Sequence, residues 1–404
     1  MSIQLHSVET PPPPVHVREF PEPHGQPTTD AFGPLNEFLQ KYFYEPDQQA
    51  MRIVLGAIKS HYLRIGDPAW LFLVAPPGSG KTTMGIVGAS GLEQVIGLSD
   101  VTEKTFLSGF YGREKPGLLE KLGTTRKEGE THITQGNAIF LAKDFTTVLT
   151  MRRERRSAIL GQLREIHDGE FKRDFGTGNT KIWQGRVTII AAVTPVLDQH
   201  YSVFTTLGER FLQVRWHRPT SPEAGEWAIE QQGHEEQIRT EGREIIQGMF
   251  VDSGQTVPAL PQAMRRRIAQ LAELVALART HVQRGDFREI TYVPEPEANT
   301  RISKGLAAIA KGIAALNGRQ EVAEQDLQDA MRVGMDCLTE NRRKLLVAAL
   351  RGQSLDSVKM PRAVKGREKE ALIELEVLTS SDDSELRLSE RAEGLISEAD
   401  LRLS

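Results

Sequence analysis

Short apolar runs separated by helical patterns organise the first half of the chain. Residues 70–74, 138–142 and 187–193 are apolar at every position or nearly every position. A strand buried on both faces of a parallel sheet has this pattern, because helices cover both sides of such a sheet. Helical spacing of apolar residues recurs over 35–65 and between the runs. The alternation predicts an α/β domain with a parallel sheet that extends to about residue 216.

The second half of the chain is mainly helical in pattern. Residues 217–262 are rich in Glu, Gln and Gly, which predicts a polar and partly helical connection. Helical periodicity then returns in three stretches: 263–283, 302–316 and 325–337. We therefore expect a helical second domain over 217–338, followed by a C-terminal segment of different character over 339–404.

The first 30 residues differ from the rest of the chain. They hold seven of the 21 prolines, with Pro11 to Pro14 in succession, and few clustered apolar residues. Such a stretch cannot bury enough surface to offset its ordering entropy. It predicts a disordered, proline-rich tail over 1–30, which also fits a partner-binding segment. The α/β domain then spans 31–216.

Composition excludes several classes of protein. In 404 residues, 39% are hydrophobic and 26% charged, which excludes a wholly disordered chain. The net charge of −4 excludes a uniformly basic nucleic-acid coat. Cys337 is the single cysteine, so neither a disulfide framework nor an all-cysteine metal site can form within the chain. No apolar run approaches the ~18 residues of a membrane span, and no signal peptide is visible. We expect a soluble, cytoplasmic protein without a membrane partner.

A glycine-rich segment follows the first apolar run directly. Residues 75–83 read Ala-Pro-Pro-Gly-Ser-Gly-Lys-Thr-Thr and match GxxxxGK[ST] except at Ala75. Backbone N–H groups of such a loop surround phosphate oxygens, and a helix over 83–89 would add its positive end. Lys81 would lie at the β/γ-phosphates, and the Thr82 hydroxyl would bind Mg²⁺. The segment predicts bound ATP and Mg²⁺, with contacts from Pro77, Gly78, Ser79, Gly80, Lys81, Thr82 and Thr83.

Three further segments with recognisable residue patterns follow this loop along the chain. Residues 188–195 end in Thr194-Pro195, residues 208–211 read Gly-Glu-Arg-Phe, and residues 298–302 read Ala-Asn-Thr-Arg-Ile at the start of a helical pattern. With the loop, they resemble the sensor-1 strand, arginine-finger segment and sensor-2 lid of AAA+ ATPases in the minichromosome-maintenance helicase and MoxR-type group. The resemblance covers roughly 45–340 and implies a P-loop AAA+ core with a helical lid.

The resemblance also implies a role for each landmark residue. Thr194 would hydrogen-bond the γ-phosphate or the attacking water. Arg210 would reach the γ-phosphate of a neighbouring subunit and neutralise charge in the transition state, although an ordinary surface salt bridge is the alternative for this arginine. Arg301 would contact the nucleotide from the lid. A trans-acting arginine implies a homo-oligomer, in these families a hexameric ring.

The second magnesium motif departs from the family. Where the family has an apolar strand ending in Asp-Glu, this chain has Lys143-Asp144-Phe145. If Asp144 is the magnesium ligand, Phe145 takes the place of the water-activating Glu. If Phe145 matches the phenylalanine that follows Asp-Glu in the helicases, Asp144 is the base and Lys143 replaces the magnesium ligand. One carboxylate is missing in both alignments, so hydrolysis is slow or is assisted by another carboxylate, such as Glu154 or Glu209.

Residues 168–185 carry turn-forming glycines between apolar and aromatic flanks, which predicts a β-hairpin just before the sensor-1 strand. In the resembling families this hairpin projects into the ring pore, where a basic residue grips the substrate. Lys181, with Lys172 and Arg173 on the opposite arm, is the candidate for nucleic-acid contact. A solvated hairpin with incidental lysines is the equal alternative.

The C-terminal segment separates its charges. Residues 342–369 carry nine basic side chains, whereas 370–404 hold ten acids and three arginines. On a helix beginning near Pro361, Arg362, Lys365 and Lys369 share one face. A short helix over 354–360 and a turn over 380–383 complete a pattern that resembles a winged helix, with the basic helix available to DNA. The acidic wing departs from that pattern, and winged helices also bind proteins.

These features lead to one functional prediction with two alternatives. The prediction is an ATP-hydrolysing, ring-forming AAA+ motor that acts on DNA as a helicase, translocase or remodeller. The first alternative is a MoxR-type chaperone that remodels a protein partner. The second is a slow-hydrolysing switch that assembles when ATP binds.

Overall fold

The computed structural model describes residues 30–79, 88–99, 101–107, 117–176, 178–200, 210–217, 219–379 and 385–401. Several predictions lie outside these residues: the tail over 1–29, Gly80, Lys81, Thr82, Thr83, most of the helix over 83–89, Glu209 and the turn over 380–383. The described chain from Ala31 onward forms one compact unit.

A seven-stranded sheet lies at the centre. Its strands are β1 Trp70–Val74, β2 Val95–Leu98, β3 Gly123–Glu128, β4 Thr131–Ala142, β5 Glu170–Asp174, β6 Thr180–Val193 and β7 Phe211–Arg215. Five strands are parallel in the order β2-β4-β6-β1-β7, while β3 and β5 pair antiparallel with the first halves of β4 and β6. The predicted apolar runs form β1 and the carboxyl halves of β4 and β6. The prediction of an α/β fold with a mostly parallel sheet is therefore confirmed.

Helices surround the sheet and follow it in the chain. They are α1 Gly33–Tyr42, α2 Gln48–Tyr62, α3 Thr146–Leu149, α4 Arg153–His167, α5 Pro222–Glu230, α6 Glu235–Asp252, α7 Gln262–Arg279, α8 Thr300–Leu316, α9 Glu324–Asp336, α10 Glu340–Leu350, α11 Arg362–Glu374 and α12 Glu390–Ala399. The helical pattern over 35–65 is divided into two helices, α1 and α2. The second helix begins after Asp47, which is its N-cap and accepts a hydrogen bond from the N–H of Ala50. None of the described helices is long and apolar enough to cross a membrane.

The two faces of the sheet pack into two different cores. Leu71 and Leu73 of β1 face the larger core, which includes α2 and the helices from α7 onward. Trp70, Phe72 and Val74 face the smaller core, which includes α4. Alternate residues of a strand point to opposite faces, so a strand covered on both sides needs an unbroken apolar run.

A close helix crossing holds the helical region against the sheet. At the crossing of α2 and α8, a Cβ added to Gly312 would lie 1.9 Å from the carbonyl oxygen of Gly56. Near the start of α8, a Cβ on Gly305 would lie 2.7 Å from a methyl carbon of Leu212 in β7. Side chains at these positions would force the helices apart. The contacts therefore place the start of α8 beside the start of β7.

The last part of the chain packs on α7. After α10, a short 3-10 turn over Leu355–Ser357 leads into α11, and bridges join Ser354 to Glu385 and Leu378 to Leu388. A separate hairpin, β8 Gln283–Arg284 with β9 Ile290–Tyr292, lies between α7 and α8. Arg284 of β8 binds Glu370 of α11, so α11 is fixed against this hairpin.

Candidate functional site

The carboxyl ends of the parallel strands bring three sequence segments together. The backbone N–H of Ala75, after β1, donates to the carbonyl of Val193 at the end of β6 (3.1 Å). The N–H of Phe145, after β4, donates to the carbonyl of Ala192 (2.8 Å). The glycine-rich segment, the residues after β4 and the residues after β6 therefore lie side by side. We call this side of the sheet the carboxyl edge, and the opposite side the amino edge.

Asp144 and Thr194 are connected at the carboxyl edge through Thr146. The N–H of Thr146 donates to Asp144 Oδ1 (2.9 Å), and the N–H of Thr194 donates to Thr146 Oγ1 (3.1 Å). The hydroxyl oxygens of the two threonines lie 3.5 Å apart. Asp144 is exposed, with its carboxylate oriented by this contact. The structure therefore brings the two predicted residues into one small polar group.

Phe145 does not take part in this group. Its ring is buried, with its centroid 5.5 Å from that of Phe72 and 5.9 Å from that of Phe211. Lys143, on the other side of Asp144, is exposed. In either alignment, position 145 serves the smaller core and presents no group that could activate water. Glu154 is exposed in the first turn of α4.

The described part of the glycine-rich segment is shaped as a tight turn. Gly78 has φ of +72°, in the left-handed region that glycine adopts without strain. Ser79 Oγ is buried, yet has no hydrogen-bond partner in the part of the chain that the structure describes. A buried oxygen of this kind calls for a partner, and a bound phosphate group or its water would supply one.

The residues also fit a bound magnesium ion. The described residues include no group of three His, Cys, Asp or Glu side chains that could hold a metal ion. Mg²⁺ does not need such a cage, because it keeps several waters and is held by one or two protein groups together with phosphates. Asp144 is an exposed carboxylate of this type. Thr82, the second predicted ligand, lies outside the described residues.

A cleft of about 1350 Å³ opens at the carboxyl edge. Its inner wall includes residues 74–76 and Pro195, and its other walls come from the start of α2, from α9 and from α10. Sites for small ligands and cofactors usually measure about 300–1,000 Å³. The cleft therefore has room for a nucleotide, and its lining reaches Pro195, which follows Thr194, although Asp144 and Thr194 themselves do not line it.

Buried ion pairs join the walls of this cleft. Asp47 accepts two hydrogen bonds from the Arg332 guanidinium (2.7 and 2.6 Å). Burial opposes ionisation of Asp47, but Arg332 outweighs it and the pKa of Asp47 is lowered. Asp336 binds Arg343 (2.8 Å) and lies 3.4 Å from Arg332. Burial dominates there and raises the pKa of Asp336.

Arg210 lies at the amino edge, immediately before β7. Its guanidinium donates to both carboxylate oxygens of Asp168 (3.0 and 2.8 Å). The Arg210 side chain is 11% exposed and that of Asp168 60% exposed. Burial opposes ionisation of Asp168, yet hydrogen bonds and charge from Arg210 lower its pKa. Within one chain, the predicted arginine finger is thus an ion-paired residue far from the glycine-rich segment.

Arg301 lies at the same edge. Burial chiefly lowers the pKa of His167, the neighbour of Asp168, and the charge of Arg301 contributes to that shift. One turn further along α8, Lys304 binds Asp67, which precedes β1 (3.2 Å). The five residues of β1 span roughly 15 Å between the edges. The structure does not bring Arg301 to the carboxyl edge of its own chain, because α8 begins beside the start of β7.

The predicted hairpin over 168–185 is present as β5 and the first part of β6, but two of its three basic residues are engaged within the protein. Lys181 binds Glu120 (2.7 Å), and Arg173 donates to the carbonyls of Glu103 (2.9 Å) and Leu107 (3.3 Å). Lys172 is more exposed and lies 3.7 Å from Asp174. Neither Lys181 nor Arg173 therefore projects from the hairpin.

The predicted basic face of α11 is also divided. Arg362 is exposed, and Lys365 donates to the carbonyl of Asp356 (3.1 Å). Lys369 is 8% exposed, contrary to its expected place on an open face. The reason is that Glu368, bound to Arg342 of α10, and Glu370, bound to Arg284 of β8, hold this part of α11 against α10 and β8.

The ion-pair network of the cleft was not predicted from the sequence. Asp47 had a readable signal, since an Asp before a helical pattern is a typical N-cap. Arg332 and Asp336 are four residues apart on α9, which indicates a helical ion pair. Nothing in the local pattern showed that Asp47 and Arg332, 285 residues apart, would meet.

Comparisons with known proteins give no match, so the function is argued from these residues alone. No protein-family model matches the chain, and no curated protein is significantly similar to it.

Proposed function

We propose that this chain binds ATP with Mg²⁺ at the carboxyl edge and hydrolyses it as a ring-forming AAA+ ATPase. The observation that carries the proposal is the Asp144–Thr146–Thr194 group beside the start of the glycine-rich segment. In parallel α/β sheets, ligands bind beyond the carboxyl ends of the strands. The left-handed Gly78 and the adjoining cleft provide further support.

Each residue has a defined task in the proposal. Lys81 would place a fixed positive charge on the β/γ-phosphates, while Thr82 and Asp144 would hold the metal ion. Mg²⁺, when bound, supplies neutralisation of charge on the transferred phosphoryl group. Thr194 would donate its hydroxyl to the γ-phosphate or to water. Because Phe145 is buried, the site lacks the usual second carboxylate, and we expect slow turnover.

Arg210 and Arg301 would act on the nucleotide of a neighbouring copy. Both lie at the amino edge, remote from the carboxyl edge of their own chain, so the nucleotide they contact would belong to another chain packed against this edge. Arg210 would exchange its ion pair with Asp168 for that contact. The assembly in this proposal is a homo-oligomeric ring, hexameric by resemblance, in which each nucleotide lies between two chains. Hydrolysis then depends on assembly.

The proposal assigns the remaining regions to two modules. Residues 217–338 would form the lid and residues 339–404 a winged helix. Support for the second module is limited to two isolated bridges, Ser354–Glu385 and Leu378–Leu388, which pair residues before and after α11 and on either side of the expected turn. Movement of the lid on hydrolysis would carry this module with it.

We propose DNA as the polymer on which the motor acts, with the exposed Arg362 and Lys172 and the half-buried Lys365 as its phosphate contacts. An ATP-dependent assembly switch is a second candidate, supported by burial of Phe145 where a catalytic carboxylate is expected. Remodelling of a protein partner would fit the engagement of Lys181 and Arg173 within the protein.

The test of hydrolysis is release of phosphate with and without Mg²⁺. Asp144→Asn should abolish Mg²⁺-dependent turnover, because it removes the charged ligand at the end of β4. Asp286→Asn is the matched control, since Asp286 is exposed in the hairpin between β8 and β9. Wild-type turnover in Asp144→Asn would exclude this site.

The test of the substrate uses the same assay with single- and double-stranded DNA. DNA should stimulate turnover, and charge reversal at Arg362 and Lys365 should weaken binding uniformly across sequences. The log–log salt slope should fall by about one unit per lost phosphate contact. No DNA affinity at low salt would leave protein remodelling, and ATP-dependent assembly without turnover would support the switch.

A further inference from the structure

The outer wall of the cleft comes from the C-terminal part of the chain. Beyond α10, five residues line the same cavity that begins at the carboxyl edge: Arg351, Gln353, Val358, Lys359 and Leu401. The proposed nucleotide site therefore has three sides, formed by the end of the sheet, by α9 with α10, and by this wall.

The wall carries cations that differ from the others around the cleft. Four basic side chains of the cleft each form an ion pair with a carboxylate: Arg215 with Asp198, Arg332 with Asp47, Arg343 with Asp336 and Lys344 with Glu340. Arg351 and Lys359 are exposed to the cleft and form no ion pair in the part of the chain that the structure describes. Unpaired charge of one sign in a cleft attracts ligands of the opposite sign.

The position of this wall is fixed by contacts elsewhere. Val358, next to Lys359, is buried in the larger core. The N–H of Gln353 donates to the carbonyl of Ala348 in α10 (2.9 Å), which holds the turn after Arg351. The two cations are therefore carried by anchored backbone at the cleft.

α12 anchors the same part of the chain to α7. Arg267 of α7 donates to the carbonyl of Ala399 (3.0 Å), and Gln270 donates to Glu398 (2.5 Å). Arg342 of α10 donates to the carbonyls of Ala278 (2.7 Å) and Thr280 (2.6 Å). These contacts hold α12, which ends two residues before Leu401 of the wall, and the start of α10 against α7.

We infer that Arg351 and Lys359 bind the phosphate groups of the nucleotide in this cleft, so that the C-terminal part of the chain completes the nucleotide site. The inference rests on the proposed function. It assigns to 339–404 a role in binding a nucleoside triphosphate, in addition to any contact with a polymer. The triphosphate is favoured over other anions because the cleft is continuous with residues 74–76 and Pro195 at the carboxyl edge.

Equilibrium titration with ATP and with adenosine tests this assignment. Arg351→Ala and Lys359→Ala should each weaken ATP binding about tenfold, the typical effect of losing one charged hydrogen bond. Adenosine, which has no phosphate, should bind each variant as it binds the wild type. Lys359→Arg should retain most of the affinity for ATP. Arg387→Ala is the control, because it removes an exposed cation of the same region that does not line the cleft.

The outcomes separate this inference from the proposed function. If the wild type binds no ATP, or if Lys81→Ala binds it equally well, the proposed site is wrong. If Lys81→Ala loses ATP but the Arg351→Ala Lys359→Ala double variant keeps wild-type affinity, the site stands and the inference is wrong. Equal losses for ATP and adenosine would also overturn it. The melting temperature without nucleotide should match that of the wild type, and Arg351→Gln and Lys359→Gln replace the alanine variants if it does not.

Discussion

Replacing Arg210 with alanine should separate stability from hydrolysis. The ion pair with Asp168 involves a carboxylate that is 60% exposed, so solvent screens it and its loss costs about 1 kcal/mol or less. Some packing of the largely buried arginine stem is lost as well. We expect the free energy of unfolding, measured with urea, to fall by about 1–2 kcal/mol. The variant remains folded and can be assayed.

The effect on hydrolysis should be far larger. An arginine supplied across a subunit boundary contributes about 10³–10⁵ to the rate of related phosphoryl transfers. Arg210→Ala should therefore reduce phosphate release by about 10³ or more, while ATP affinity changes little. Asp168→Asn is the matched control for stability, since it breaks the same ion pair and leaves the arginine in place.

Mixing variants tests action across subunits. Arg210→Ala lacks the arginine, and Lys81→Ala lacks the phosphate-binding lysine. In a mixed assembly, an Arg210→Ala chain supplies an intact Lys81 and a neighbouring Lys81→Ala chain supplies an intact Arg210. Interfaces of this kind have both residues, so mixed assemblies should recover part of the activity. A strictly monomeric protein that hydrolyses ATP at the full rate, or an Arg210→Ala variant with wild-type turnover, would refute the reasoning.

Two further predictions concern a buried carboxylate at the cleft, Asp47, and a buried neutral histidine beside the sheet, His61. Asp47→Asn should lower the free energy of unfolding at pH 7 by about 2 kcal/mol, because it removes a buried carboxylate from the Arg332 guanidinium, which is 20% exposed and keeps its contact with Asp336. The exposed pair broken by Asp67→Asn should cost about 1 kcal/mol or less, and equal effects of the two variants would contradict the network. Burial lowers the pKa of His61 to about 4, from 6.5, so the stability due to its neutral form is complete above pH 6.5 and is lost as the pH falls toward 4. The loss reaches about 3 kcal/mol, and His61→Gln should show a correspondingly weaker pH dependence in urea unfolding between these values; an unchanged profile would refute it.

The strands covered on both faces were predictable, and the others were not. Residues 70–74 form β1 as predicted, because a strand between two layers of helices must be apolar throughout. β2 is short and partly exposed, and every residue of β3 is exposed. Neither has the apolar run that reveals a buried strand. Their pairing with β4 depends on contacts that lie far away in the sequence.

The position of a site residue was predictable from the sequence only where that residue directly follows a parallel strand. Asp144 and Thr194 each follow a parallel strand, and the carboxyl ends of such strands meet at one edge. Arg301 had no such constraint, because packing of α8 on α2 decides where that helix begins. The same holds for Lys369, whose burial follows from contacts of α11 with α10 and β8. A charge pattern along a helix does not reveal which face tertiary packing will cover.

ATP binding is the most direct test of the central claim that the carboxyl edge is a nucleotide site. Isothermal titration of the full-length protein with ATP and Mg²⁺ should show saturable binding, and Lys81→Ala should abolish it, because the fixed cation on the β/γ-phosphates is lost. Lys304→Ala, which removes an exposed lysine at the amino edge, should bind ATP as the wild type does. No binding by the wild type, or the same affinity in Lys81→Ala, would contradict the account.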